Sequence, residues 1–285
     1  MNNASLDATL LATNISSAGL GNRMRFTLSA LSLAESTGRE FCYAWPQSDK
    51  FRPALTDLWH FEHAEITWAE SIEIAKTYPY VGTSEDLKAE DSLWHLRSGN
   101  PLTLPAGAQT WFERLRKLTP TQVVRERVET YFDGLRGAPY VGVSIRAHEQ
   151  SHAKTKEGSP VSWYLNRMAE ILVQFPNMKF FISCDVPEVQ DQIVSTFPSS
   201  IGLADKGKYN SAEGVVASVV DLYLLASSSY MIVPYWSSFP IMAWELAGRR
   251  IAMENSRAGR REIDIAEVPL TFDPLRPLRR FQTTP

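Results

Sequence analysis

Three stretches of the sequence carry residue types suited to holding an anion and to absorbing negative charge as a bond breaks. The first is Gly19-Leu20-Gly21-Asn22-Arg23. Glycines let a backbone approach a ligand closely, a helix opening there would present free N–H groups and a partial positive charge, and Arg23 adds a full one. The second is Ser144-Ile145-Arg146-Ala147-His148-Glu149, where the planar fork of Arg146 suits a phosphate. His148, Glu149, His152 and Glu157 share the polar stretch that follows and are candidate proton acceptors. The third is Pro234-Tyr235-Trp236-Ser237-Ser238-Phe239-Pro240, preceded by Asp221 on a predicted helix. Ser238 is placed to cap the next helix with Pro240 in its first turn, and a Ser-Ser pair at a helix N-terminus is again an anion site.

Other chemistries find less support. A dinucleotide fingerprint would need a third glycine where Met24 stands, and an acid at the end of the second strand where Trp45 stands. Five scattered histidines without a CxxC or HExxH pattern give no structural metal site, and Glu262-Ile263-Asp264 is only a weak Glu-x-Asp match. Cys42 and Cys184 lie in apolar strand-like segments and are expected as buried free thiols.

The elements that would position these stretches alternate as short β-branched or aromatic runs and longer amphipathic segments, the pattern of an α/β protein. Strands are predicted over 8–13 and 41–45, with a helix over 23–36 between them. From 46 to about 110 the pattern breaks up, leaving strands near 65–68 and 92–96. Thr119-Pro120 reads as a helix start, with Thr as N-cap and Pro in the first turn. A cleaner alternation follows: strands over 139–146, 179–184, 201–203, 230–233 and 250–253, and helices over 163–175, 187–197, 212–227 and 238–247. The stretch between 147 and 160 reads as a polar loop. Parallel strands joined by helices make doubly wound sheets, whose ligands lie beyond the carboxyl ends of the strands. All three chemical stretches fall at such ends.

Taken together, these motifs resemble the fucosyltransferases that include nodulation-factor and core α-1,6-fucosyltransferases and, more distantly, protein O-fucosyltransferases. Gly19 to Arg23 looks like their glycine loop, and Val141 to Arg146 like their central strand. Phe180 to Asp185 resembles the next strand, and Asp221 through Trp244 the last motif. The resemblance spans about residues 10 to 250. It implies a GT-B-like α/β fold of two Rossmann-like doubly wound parallel-sheet domains facing across a cleft. Residues 1–134 would bind the acceptor and 135–285 the nucleotide-sugar donor. It further implies an inverting, metal-independent transfer of L-fucose from GDP-fucose to a hydroxyl of a glycan or small-molecule acceptor, with no other cofactor.

On that resemblance Arg146 would bind the β-phosphate, Ser237, Ser238 and Phe239 the pyrophosphate, and Asp221 the nucleoside, with Ser144 and Asp185 beside them. Gly19, Gly21, Asn22 and Arg23 would close over the pyrophosphate. Glu149 is the first candidate base, followed by Glu157 and His148. Ser144 stands where the family often has a base-contacting His, Ala147 where a second Arg is usual, and Phe239 where some relatives carry a more polar residue. Another nucleotide sugar, or a non-catalytic nucleotide- or sugar-binding protein, would suit the same stretches.

Composition narrows the partners. The 285 residues carry 29 Lys and Arg against 32 acids, a net charge of −3. That balance lacks the footprint of a nucleic-acid binder or a polybasic membrane-surface protein. No apolar run approaches the roughly 18 residues of a membrane span. The opening MNNASLDATLLATNISS lacks the basic start and apolar core of a secretory signal, so a cytoplasmic location is expected.

Overall fold

A computed structural model describes residues 8–135, 138–149, 151–258, 273–276 and 278–279. The chain divides into two compact units. One extends to Thr121 and takes in Asn210–Ala212; the other begins at Gln122.

In the first unit the elements run β1 (Thr9–Asn14), α1 (Leu20–Ser36), β2 (Glu40–Ala44), β3 (Trp59–His60), β4 (Ala64–Ile66), α2 (Trp68–Thr77), β5 (Leu93–Ser98), α3 (Trp111–Leu115) and β6 (Thr119–Pro120). Among the described residues, β4, β2, β1 and β5 form a parallel sheet in that order. Every residue of β1 is buried, as a central strand covered on both faces requires. Leu11, Cys42, Ala44, Ile66 and Leu93 form one side of the core, with Ile74 and Tyr78 against it. The helix α1 opens at Leu20, three residues before the predicted start, so Gly21, Asn22 and Arg23 lie in its first turn.

Two further departures from the sequence reading belong to this unit. Thr119-Pro120 does not open a helix; it pairs antiparallel with Trp59-His60, and the helix begins only at Gln122. The Thr121 N–H donates to the Leu58 carbonyl, so the chain is fastened back to β3 before it can turn. Between residues 46 and 110, where the apolar periodicity is weak, α2 begins with a capping box, and α3 begins with another just beyond it. Thr67 accepts from the Glu70 N–H while Glu70 accepts from the Thr67 N–H, and Thr110 and Glu113 repeat the arrangement. Trp45, Trp59 and Trp94 are buried and Trp68 is half-buried under Arg97, so these indoles fill the unit's interior.

The second unit runs α4 (Gln122–Asp133), β7 (Tyr140–Ile145), α5 (Ala153–Gly158), α6 (Val161–Gln174), β8 (Lys179–Cys184), α7 (Pro187–Thr196), β9 (Ser200–Gly202), α8 (Ala212–Ala226), β10 (Tyr230–Ile232), α9 (Ser238–Leu246) and β11 (Ala252–Glu254). Its sheet is parallel in the order β11-β10-β7-β8-β9. The chain therefore winds outward from β7 to one edge, returns to β10, and winds outward to the other. This is the doubly wound order with its switch point between β7 and β10. The short α5 stands inside what read as a polar loop. Helix α4 belongs here through Arg127 and Tyr131, whose Nη2 and hydroxyl both donate to Asp205 Oδ1, at 2.8 and 3.2 Å.

One glycine shapes the loop after β9. Gly207 has φ of +72°, and a Cβ there would lie 2.9 Å from both the Gly214 nitrogen and the Glu213 Cβ. Gly207→Ala is expected to lower unfolding stability by about 1–3 kcal/mol, through a left-handed backbone and a clash that cannot be relieved by rotating a side chain. Urea denaturation measures it.

Candidate functional site

Ligand sites in open parallel sheets form where neighbouring strands lead their connections to opposite sides, because the diverging loops leave a crevice there. In the second unit Arg146 leaves β7 on one side of that point, and Val233 to Ser238 leave β10 on the other.

Asp185 organises the first of these loops. It follows β8, which pairs with β7 in a register that sets Ile145 beside Cys184, so Arg146 and Asp185 emerge as neighbours. Asp185 Oδ1 accepts from the Ala147 N–H at 2.7 Å and the His148 N–H at 3.0 Å. Its Oδ2 accepts from the Ser151 hydroxyl at 3.2 Å and forms an ion pair with Arg146 Nη1 at 3.3 Å. The carboxylate is 8% exposed and the arginine side chain 33%, so the guanidinium is oriented from below and remains accessible. The His148 ring stacks on Tyr209 at 3.9 Å between centroids. Glu149 and Glu157 are both exposed, one in this loop and one on α5. The Glu149 carbonyl accepts from Lys156 Nζ at 2.8 Å.

The loop after β10 is braced by the chain around α5. Thr155 donates to the Trp236 carbonyl at 2.9 Å, and the Tyr235 N–H donates to the Ser159 hydroxyl at 2.8 Å. Trp236 takes φ of +63°, a left-handed conformation unfavourable for a bulky residue, and 59% of it is exposed. Ser237, rather than the predicted Ser238, is the N-cap of α9, and its side chain makes no capping bond. The N–H groups of Ser238 and Phe239 precede the first intrahelical bond, and no acid lies in the first turn, so this end of α9 presents positive potential.

Between these loops and the strands lies a small cavity of about 30 Å³, lined by residues that include Ser144, Arg146, Ser183, Asp185, Lys206, Asp221 and Phe239. Asp221, on α8, is 2% exposed. Its Oδ2 accepts from the Ser183 hydroxyl at 2.8 Å and pairs with the Lys206 ammonium, while Oδ1 has no partner among the described residues. Burial raises its carboxyl above the usual carboxylate range, against the pull of Lys206 and Ser183. The structure thus brings Ser144, Arg146, Asp185, Asp221 and Phe239 to one cavity, with Ser237 and Ser238 at the adjoining helix end. Lys206 escaped the sequence reading: a single lysine before a glycine turn gives no periodic or motif signal.

The glycine loop belongs to the first unit and is described by itself. Gly19 caps α1 without a side-chain bond, and no acid lies in the helix's first turn. Arg23 does not extend into solvent. It is fully buried, its Nε donates to the Ala18 carbonyl at 2.8 Å and Nη2 to the Ser16 carbonyl at 2.9 Å, and the guanidinium lies 4.2 Å from the Phe51 ring centroid. Burial lowers its pKa to about 10. The side chain therefore fixes the loop's path, and its Nη1 is buried without a partner among the described residues.

Among the described residues no group of three or more His, Cys, Asp and Glu side chains could hold a metal ion. Glu262 and Asp264 lie outside those residues. No helix among them is long and apolar enough to cross a membrane.

No protein-family model matches the sequence, and no curated protein matches it. Solved structures do share its fold. A NodZ alpha-1,6-fucosyltransferase soaked with GDP-fucose aligns with a TM-score of 0.57 at 16% identity, over 96% of this chain and 98% of that one. POFUT1 in complex with GDP aligns at 0.55 and 11% identity, over 87% and 98%. A variant of Arabidopsis thaliana FUT1 in complex with GDP aligns at 0.56 and 12% identity, over 87% and 70%. With its two parallel sheets, the chain has the GT-B-like α/β fold of two Rossmann-like units.

The Asp185 arrangement has a direct consequence. Asp185→Ala is expected to speed amide hydrogen exchange at Ala147 and His148 by about tenfold or more, and to lower stability by about 1–3 kcal/mol as their donors lose a charged acceptor. Site-resolved exchange measured by NMR checks the first effect and urea unfolding the second.

Proposed function

We propose that the protein is a glycosyltransferase that binds a nucleotide-sugar donor through its second unit and transfers L-fucose from GDP-fucose to an acceptor hydroxyl with inversion and without a metal. The observation that carries this reading is the Arg146 guanidinium, held by Asp185 at the switch point of a doubly wound sheet. The GDP and GDP-fucose complexes of structures sharing the fold support the choice of donor.

The chemistry follows from where charge develops. As the acceptor oxygen bonds to the sugar's anomeric carbon, the carbon–oxygen bond to the pyrophosphate breaks and its electrons go to the departing nucleoside diphosphate. Arg146 and the N–H groups of Ser238 and Phe239 would offset that charge, being fixed before the reaction begins. The N-terminal end of α1, with Gly19, Gly21 and Asn22 and with Arg23 bracing the loop, would supply a further anion-facing element. Asp221, with Ser144 nearby, would meet the nucleoside. The acceptor's proton would go to Glu149, whose exposed position in the Arg146 loop supports that role, with Glu157 and His148 the next candidates. The second unit, which begins at Gln122 rather than at the expected 135, would carry the donor and the first unit the acceptor, a glycan or a small hydroxylated molecule. The buried free thiols Cys42 and Cys184 support a cytoplasmic location, where thiols stay reduced.

Arg146→Ala is expected to reduce GDP-fucose turnover by about 100-fold or more while circular dichroism and the melting transition stay those of the wild type. Wild-type turnover in that variant overturns the site. Calorimetric titration with GDP, UDP and dTDP tests the donor. Preference for UDP or dTDP replaces fucose with another sugar donor, and tight GDP binding without transfer or hydrolysis identifies a binding protein instead.

A further inference from the structure

The second unit holds a buried cation that the proposed transfer does not use. Lys206 is 6% exposed, and its ammonium pairs with the Asp221 carboxylate. Its Nζ also donates to Gln190 Oε1 at 3.2 Å. Gln190 is fixed in turn: its Nε2 donates to the Leu203 carbonyl at 2.8 Å. Its amide occupies space that only a glycine leaves, since a Cβ on Gly202 would come within 2.7 Å of it. With Lys206 and the Ser183 hydroxyl both on Asp221 Oδ2, the other oxygen, Oδ1, remains buried and unpartnered. A buried anionic oxygen without a donor is costly, and a ligand that supplies one removes that cost.

The neighbouring groups define which ligand edge fits. Such an oxygen has two lone pairs to fill. Guanine presents a ring N–H and an exocyclic amino group side by side. Uracil and thymine flank their single ring N–H with carbonyls that a carboxylate would repel, and adenine sets a ring-nitrogen lone pair beside its amino group.

Resting on the nucleotide-donor reading above, we propose that Lys206 is a positioning residue of the nucleobase pocket, keeping Asp221 ionised and turned so that Oδ1 accepts from the adjacent N–H donors of a guanine-type base. Besides Lys206, the charged and titratable groups around Asp221 are Arg127, Cys184 and, lining the same cavity, Arg146 and Asp185. The last two are paired with each other, and burial pushes the Cys184 thiol up to about 12. Lys206 is therefore the cation in contact with the carboxylate. Without it, a carboxyl already raised by burial rises further, takes up a proton as pH falls, and no longer accepts from two N–H groups.

Calorimetry with GDP and inosine diphosphate, which lacks the exocyclic amino group, tests this. The wild type is expected to favour GDP by about tenfold, the worth of one charge-assisted hydrogen bond. Lys206→Met should lose that preference and bind GDP about tenfold more weakly, with affinity that declines as pH falls where the wild type stays flat. Lys206→Arg should restore both properties, which a purely structural lysine would not require. Lys206→Gln, neutral but able to reach Gln190, replaces Lys206→Met if that variant does not fold. A neutral variant with the wild-type preference and a flat pH profile overturns the role of Lys206. A folded wild type that binds no nucleoside diphosphate overturns instead the donor reading on which it rests.

Discussion

Asp185 places a carboxylate at the end of β8, where it gathers two backbone N–H groups, a hydroxyl and the Arg146 guanidinium. Its position follows from pairing: β7 and β8 run in parallel with Ile145 opposite Cys184, so the residues after each strand leave the sheet together. A slip of one residue would exchange the two faces of either strand and separate the pair. From this anchor the chain continues into α5, and α5 with the residue after it holds the loop beyond β10 by Thr155 and Ser159. The charged group, the helix end and the cavity behind them thus share one support.

The alternation of strands and helices was legible because parallel strands buried on both faces must be continuous apolar runs, such as Tyr140 to Ile145 and Lys179 to Cys184. The glycine loop, Arg146 and the Ser-Ser turn were legible as residue types at strand ends. Other features depended on partners far along the chain. Thr119-Pro120 has the local chemistry of a helix start, yet its pairing with Trp59-His60 overrides it. Helices α2 and α3 did leave a local sign, the Thr-x-x-Glu boxes at 67–70 and 110–113, hidden by the weak apolar periodicity around them. Nothing near Lys206 announces that residues 183, 190 and 221 converge on it. The Arg23 loop is similar: its sequence promises a charge, and only Phe51 and the Ser16 and Ala18 carbonyls show that this charge is turned inward.

The near-balanced composition fits this placement of charge. Arg146 faces Asp185, Lys206 faces Asp221 and Arg23 is enclosed, so each of these three cations is held in a fixed place. Groups held this way lose little freedom when a ligand arrives.

Cys42 and Cys184 are the two cysteines of the sequence, both buried, and burial raises each thiol pKa to about 12. At neutral pH almost no thiolate is present, so both are poor nucleophiles. A cysteine introduced on exposed α5 would then be the thiol open to maleimide coupling. A fluorophore attached there would report movement of the Arg146 loop without any prior removal of native cysteines.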